Sequence, residues 1–301
     1  MDRKLGRARF AAALVALTAG CFPSYVFPDD VDGGGSDGAP PVDASLVDRE
    51  TPGDSAAADG DDATGTNDAA PETGTDAARP VSLQDCVLLL HMDEAAWGSP
   101  GAVKDTSGSG NHGSATGSAV TTSAGKFGGA ALLDGAGWVT VPDSASLRAT
   151  TNALTVTAWI FPTGLTDGTA SPGIVSKRKA FGQNVAYTLF LWTNNEAWVD
   201  IQATRYSSDF VFSNGQWTHV AVVFEGAATD LARRTRIYVN GVLNKTSTAD
   251  PSLAPNTEDL LIGNLPGGGN MFVGRIDEVA VWNRVLSDAE LAALGTATRP
   301  L

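Results

Sequence analysis

The ten residues ALTVTAWIFP, Ala153 to Pro162, alternate with a period of two: Leu154, Val156, Ala158 and Ile160 share one side of an extended chain, and Trp159 and Phe161 share the other. Further along, Thr218, Val220, Val222 and Phe224 oppose Trp217, His219, Ala221 and Val223 in QWTHVAVVFEG, from Gln216. RIYVNGVLNKT, from Arg236, carries Asn240-Gly241, the dipeptide whose backbone suits a two-residue hairpin turn. AYTLFLW from Ala186 and AWVDIQA from Ala197 are separated by the turn residues Thr193 to Glu196, a second hairpin signal. VLLLHM from Val87, WVTV from Trp138, LLIGN from Leu260 and FVGRIDEVAVWNR from Phe272 add further strands. Gly, Asn, Asp and Pro punctuate the intervals. Such a series argues an all-β, two-sheet antiparallel sandwich rather than βαβ units.

Helix is scarce. Ser287 and Glu290 have the spacing of a capping box and precede Leu291 and Leu294, so a short helix is expected from Ser287 to Leu294, at the end of the domain.

The start of the chain is of another kind. Arg3, Lys4, Arg7 and Arg9 precede an apolar run from Phe10 to Ala19, too short to span a bilayer, so residues 1–20 read as a signal peptide. LTAGC, ending at Cys21, resembles the lipobox of bacterial lipoproteins, with Thr18 where that pattern prefers Leu. The resemblance implies lipidation of Cys21, and the lack of an aspartate after it suits an outer membrane or cell surface; the alternative is secretion. Residues 21–80 are a linker rich in Asp, Ala, Gly, Thr and Pro. From residue 22 they hold fourteen Asp/Glu and two Arg, a net −12, out of −14 for the whole chain. Such a segment buries too little apolar surface to offset its ordering entropy, and reads as a disordered tether of roughly 40–45 Å r.m.s. span. The domain, 81–301, carries a net −5. With this charge the chain lacks a basic footprint for nucleic acid, and its only expected membrane contact is the lipid. Its two cysteines, Cys21 and Cys86, give no disulfide framework if the first is lipidated.

The order LLHMDE, KDTSGSGNHG, GKFGGAALLDG, WVTVPDSASL, LTVTAWIFP, IVSK, GQWTHVAVVFEG, RIYVNGVL, LLIGN and GRIDEVAVWNRVLSDAEL resembles the LamG-like jellyroll domains of the concanavalin A-like lectin and glucanase superfamily, over nearly all of residues 84–295. The resemblance implies two antiparallel sheets packed as a jelly roll. It implies no single function: members are mostly non-catalytic modules of secreted proteins that bind glycans or proteins or act as spacers. It also implies a structural calcium held by Asp277 with Asp105 and Asn111, hard oxygen donors that suit this ion. The alternative is that Asp277 accepts hydrogen bonds from loop amides or Arg275.

No catalytic residue is assigned. Gly108, Gly110 and Gly113 spell GxGxxG without a strand before or a helix after, and His91, His112 and His219 form no zinc motif. Glu196 and Asp200 lack the closely alternating third acid of a glucanase strand, and Asp277 and Glu278, as strand neighbours, are expected on opposite faces. All seven tryptophans lie in the domain. Trp159, Trp217 and Trp282 sit inside alternating strands and are expected in the core. Trp97, Trp192 and Trp198, in or beside turns, are expected to be exposed. Together with Asn194, Asn195 and Tyr206 they are the candidate ligand contacts of a binding module for a glycan or a surface protein; a spacer without a small ligand is the alternative.

Overall fold

The computed structural model describes residues 81–301 apart from 149–151, 166–170, 181, 184, 203, 268 and 269. Residues 1–20, expected as a signal peptide, Cys21, and residues 21–80, expected as a linker, lie outside the described residues. In chain order the strands begin with β1 (Cys86–Leu90), β2 (Ser114–Gly117), β3 (Val120–Thr122), β4 (Ala130–Asp134), β5 (Gly137–Val141) and β6 (Ala153–Pro162). They continue with β7 (Gly173–Lys177), β8 (Tyr187–Leu191), β9 (Glu196–Ile201), β10 (Thr204–Val211), β11 (Thr218–Glu225) and, after the short helix α1 (Leu231–Arg234), β12 (Thr235–Val239). The series closes with β13 (Val242–Ser247), β14 (Leu260–Ile262), β15 (Asn264–Leu265), β16 (Asn270–Met271), β17 (Val273–Trp282) and the helix α2 (Asp288–Gly295).

The strands form the expected sandwich. The first sheet has the order β13-β12-β11-β6-β17-β4-β3, with β1 pairing on β17; the second has the order β10-β9-β8-β7-β14-β5-β2, and β15-β16 is a small ribbon. Pairing is antiparallel in both sheets. The period of two in β6 puts Leu154, Val156, Ala158 and Ile160 into the shared core, where they meet Tyr187, Leu189 and Leu191 of β8 and Val199 and Ile201 of β9. Each fully buried side chain of this size contributes about 1.5–3 kcal/mol.

The outer face of the first sheet is covered over one part of its area. Trp282, Ala280, Tyr238, Val223 and Ala221 pack under Leu286, Leu291 and Leu294. The capping box is present: Ser287 Oγ accepts from Glu290 N, and the Glu290 carboxylate accepts from Ser287 N. The Tyr238 hydroxyl donates to Asp288 Oδ1 at 2.7 Å and pins the first turn of α2 to the sheet.

Two expectations change. Trp159 and Trp282 are buried, but Trp217 is only half-buried, on the outer side of the first sheet beside Phe161. Asp277 and Glu278 do not point to opposite faces. The pairing of β17 with β6 shifts register between Asp277 and Ala280, and Glu278 takes φ +49. The extra residue of this bulge breaks the alternation, so both acids serve the outer side of the sheet.

Candidate functional site

The β8–β9 hairpin gathers a group of aromatic and polar side chains on the outer face of the second sheet. Its turn is closed by Asn195 N, which donates to Trp192 O at 2.8 Å, with Asn195 at φ +61. Inward alternation of Tyr187, Leu189 and Leu191 sends Phe190 outward and leads on to Trp192; inward Ala197 and Val199 send Trp198 outward. The Trp192 and Trp198 rings lie 5.6 Å apart at 39°, and Phe190, fully buried, meets Trp192 edge-on at 5.9 Å. The Trp198 indole N–H donates to Asn194 Oδ1 at 3.3 Å, and Asn194 Nδ2 donates to Glu196 Oε2 at 2.6 Å. The Arg205 guanidinium lies 5.4 Å from the centroids of both Phe190 and Trp192. It is held by Asp200 through two hydrogen bonds of 2.6 and 2.8 Å, and buried Arg178 donates to the same carboxylate at 3.3 Å. The result is two half-buried, tilted indoles edged by amide and carboxylate groups, on a floor fixed by a buried ion-pair network.

Of the six expected contacts, Trp192, Trp198 and Asn194 come together. Asn195 shapes the turn through its backbone. Tyr206 turns inward from β10 onto the shared core, and burial pushes its phenol well above the usual range. Trp97 stands in the segment after β1, packs against the core, and donates its indole N–H to Glu94 Oε2 at 2.9 Å. Phe190 and Arg205 were not foreseen. An aromatic-x-aromatic spacing, Phe190-x-Trp192, marks the first; Arg205 arrives through cross-strand pairing opposite Asp200.

The three residues that the resemblance implies as calcium ligands, Asp105, Asn111 and Asp277, are engaged in hydrogen bonds within the fold. Asp105 Oδ1 accepts from Leu89 N and Ser107 N, each at 2.9 Å, and its Oδ2 accepts from Asn111 N at 2.8 Å. The Asn111 amide nitrogen donates to Val87 O and Ser146 Oγ. Asp277 Oδ2 accepts from Lys126 N and Phe127 N at 2.8 and 3.1 Å, and Oδ1 accepts from Glu278 N at 2.8 Å. Both carboxylates face amide hydrogens, which repel a cation, and each braces a loop of its own. Among the described residues no group of three or more His, Cys, Asp or Glu side chains is arranged to hold a metal. The reading of Asp277 as an acceptor for loop amides is the one the geometry realises.

A recess of about 510 Å³ lies between the first sheet's outer face and the C-terminal segment, lined by Trp159, His219, Glu278, Phe127, Leu294 and Leu301 among others. Glu278 accepts from His91 Nδ1 at 2.9 Å, and this bond raises the imidazole above its usual range. Burial pushes the Asp277 carboxyl up to about 7, against the pull of its three amide donors. Burial, with Lys126 nearby, lowers His219 to about 3, so it is neutral at physiological pH, and it packs on Trp159 at 5.3 Å. The acids here brace the fold. On β9, Glu196 and Asp200 share a face; Asp200 is engaged by Arg205 and Arg178, and Glu196 accepts from Asn194.

A family model described as the concanavalin A-like lectin/glucanases superfamily matches residues 133–292. No curated protein matches the sequence. Among solved structures, Domain 4 of AbnA, an extracellular GH43 arabinanase of Geobacillus stearothermophilus in complex with arabinotriose, is similar at a TM-score of 0.54 and 20% identity, covering 70% of this chain and 98% of that one. The receptor-binding domain of botulinum neurotoxin C/D mosaic serotype is similar at a TM-score of 0.53 and 17% identity, covering 71% of this chain and 51% of that one. The ligand-binding domain of botulinum neurotoxin serotype D, in complex with N-acetylneuraminic acid, gives 0.50 and 16% over the same shares. The chain thus spans about half the length of those toxin domains. At such identities the likeness concerns the fold.

Proposed function

Because this chain belongs to the concanavalin A-like lectin/glucanase superfamily, we propose that it is a non-catalytic binding module that takes a glycan on the Trp192–Trp198 face of the second sheet. The observation that carries this reading is the indole pair itself: two half-buried rings 5.6 Å apart, backed by buried Phe190 and edged by Asn194, Glu196 and Arg205. Indole faces take the apolar faces of sugar rings, and a tilt of 39° suits successive rings of a twisted chain. Asn194 and Glu196 supply the hydrogen-bonding edge that fixes orientation. The neighbours solved with arabinotriose and with N-acetylneuraminic acid lend support at the level of fold.

The non-catalytic part of the proposal rests on the engaged state of the acids. Asp200 is clamped by two arginines, Asp277 by three amides and Glu278 by His91. Display at an outer membrane or cell surface, through a lipid on Cys21, completes the reading and draws its support from the sequence LTAGC alone.

The test is a glycan array probed with the full chain, followed by titration of the best ligand. Trp198→Ala and Trp192→Ala are each expected to weaken binding by about 2 kcal/mol or more, as truncated anchor tryptophans do, at unchanged fold by circular dichroism. A wild type that binds nothing on the array would favour the spacer reading. Glycan hydrolysis abolished by Glu196→Gln would overturn the non-catalytic one.

A further inference from the structure

The outer face of the first sheet carries a second set of aromatic rings, beyond the area that α2 covers. Phe161 and Trp217 lie 5.4 Å apart at 56°, and the Arg275 guanidinium sits 3.8 Å from the Phe161 centroid and 5.4 Å from that of Trp217. Two residues back along β6, Trp159 bears the Lys126 ammonium at 4.1 Å from its ring centroid. The pairing of the strands puts Leu132, Arg275 and Phe161 side by side in one row, and Leu132 is 41% exposed, so this row is open to solvent.

Charge separates this patch from the hairpin site. There, Arg205 and Arg178 share the Asp200 carboxylate and Glu196 stands at the rim, so two cations meet two acids. Here, neither Arg275 nor Lys126 has an ion-pair partner among the described residues. Arg275 Nη1 donates to the neutral carbonyl of Ala124 at 2.5 Å, and the Lys126 ammonium stands over an indole. Asp277, the acid nearest along β17, is turned to the amides of Lys126 and Phe127 and is buried. Two unpaired cations on aromatic rings, in a domain of net −5, form a positive spot with stacking surfaces beside it.

We propose that this patch is a second saccharide site, selective for sugar rings that carry a carboxylate or a sulfate. The anion would take the free N–H groups of Arg275 and the Lys126 ammonium, and the ring would lie against Trp217 and Phe161. Arg275 suits either anion because its planar fork matches two oxygens at once. The site does not depend on the hairpin pair, and a chain with both has two independent contacts on opposite faces of the sandwich.

The experiment is calorimetric titration of the full chain with three probes: a galacturonic acid trisaccharide, a sulfated galactose trisaccharide and a neutral galactose trisaccharide. At least one acidic probe is expected to bind more tightly than the neutral one, and which of them does so identifies the anion. Its affinity is expected to fall as ionic strength rises, because the pairing charges are only half-buried. Arg275→Gln is expected to weaken it about tenfold or more, the loss of a charge-assisted contact. Lys126→Gln should weaken it too without removing the Arg275–Ala124 bond, so a folding defect in the Arg275 variant does not decide the matter. Equal affinity for the neutral probe, no binding of either acidic probe, or insensitivity to both cation variants overturns the proposal.

Discussion

At the scale of single residues, the Asp277–Glu278 bulge controls how stability depends on pH. A non-glycine residue at positive φ is uncommon, and Glu278 accepts φ +49 because its carboxylate gains His91 and its neighbour's carboxylate gains three amides. His91 titrates higher folded than unfolded, so its contribution is complete below pH 6.5 and fades as pH rises through the folded value. Asp277 is raised from 3.8 to about 7, so its carboxyl too favours the folded state at low pH, and that preference is lost as pH climbs through about 7. The Arg284 guanidinium holds the Glu290 carboxyl down at about 2, a stabilisation that is full above pH 4.5 and fades only below it, outside this window. Stability is therefore expected to fall between pH 5.5 and 8, by about 1.5–3 kcal/mol for a hydrogen bond to a charged group, and the melting temperature with it. His91→Gln and Asp277→Asn should each flatten that slope in thermal melts. A melting temperature that climbs over the same range would contradict the assignment.

At the scale of elements, the end of α2 meets the β12–β13 turn with no room between them. Asn240 and Gly241 take φ +48 and +78, the two left-handed positions that the Asn-Gly signal requires. A Cβ on Gly295 would sit 2.0 Å from Gly241 N, backbone against backbone, and one on Gly241 would sit 2.7 Å from Ala292 Cα. Gly295→Ala is expected to cost about 1–3 kcal/mol by overpacking and to lift α2 from the sheet, which limited proteolysis would read as early cleavage after Trp282. Binding at the Trp192 hairpin, on the other sheet, should survive; resistance to protease equal to wild type would mean that the helix does not need this approach. The turn, the capping box and the long alternating strands were legible in the sequence because each has a local signature. β2, β3, β4, β7 and β10 were not: SATG, VTT and TRYSSDFV form sheet edges, where one-sided burial leaves no regular apolar period, and AALLD and GIVSK are five-residue runs too short to show one. The hairpin gave away Trp192, Trp198 and Asn194 by the same local logic. Arg205 and Arg275 stayed hidden because each reaches its aromatic partners across strands, through register that a linear reading does not contain. Tyr206 misled for the converse reason, since a tyrosine in a polar stretch says nothing of which face it takes.

At the scale of the whole molecule, charge and cysteine usage divide the chain. Residues 22–80 carry −12 against −5 for 81–301, a charge that anionic surfaces repel, so the proposed attachment rests on the lipid at Cys21. The domain makes the lipid experiment clean. Cys86 is 5% exposed on β1, its thiol donates to Leu88 O at 3.3 Å, and burial pushes it up to about 12, so it offers neither a thiolate nor access to an acylating enzyme. A radiolabelled palmitate incorporated by the full chain in a bacterial host with an outer membrane would therefore report on Cys21. The label is expected in the wild type and in Cys86→Ala, and is expected to vanish in Cys21→Ala, with the protein then released into the soluble fraction. Label retained in Cys21→Ala, or absent from the wild type, would remove the anchor and leave secretion. In that case the two aromatic faces would have to hold the protein at a surface by themselves. Two contacts on opposite sides of one sandwich suit that task only if separate glycans can meet both faces, because a rigid domain cannot turn both toward a single flat layer.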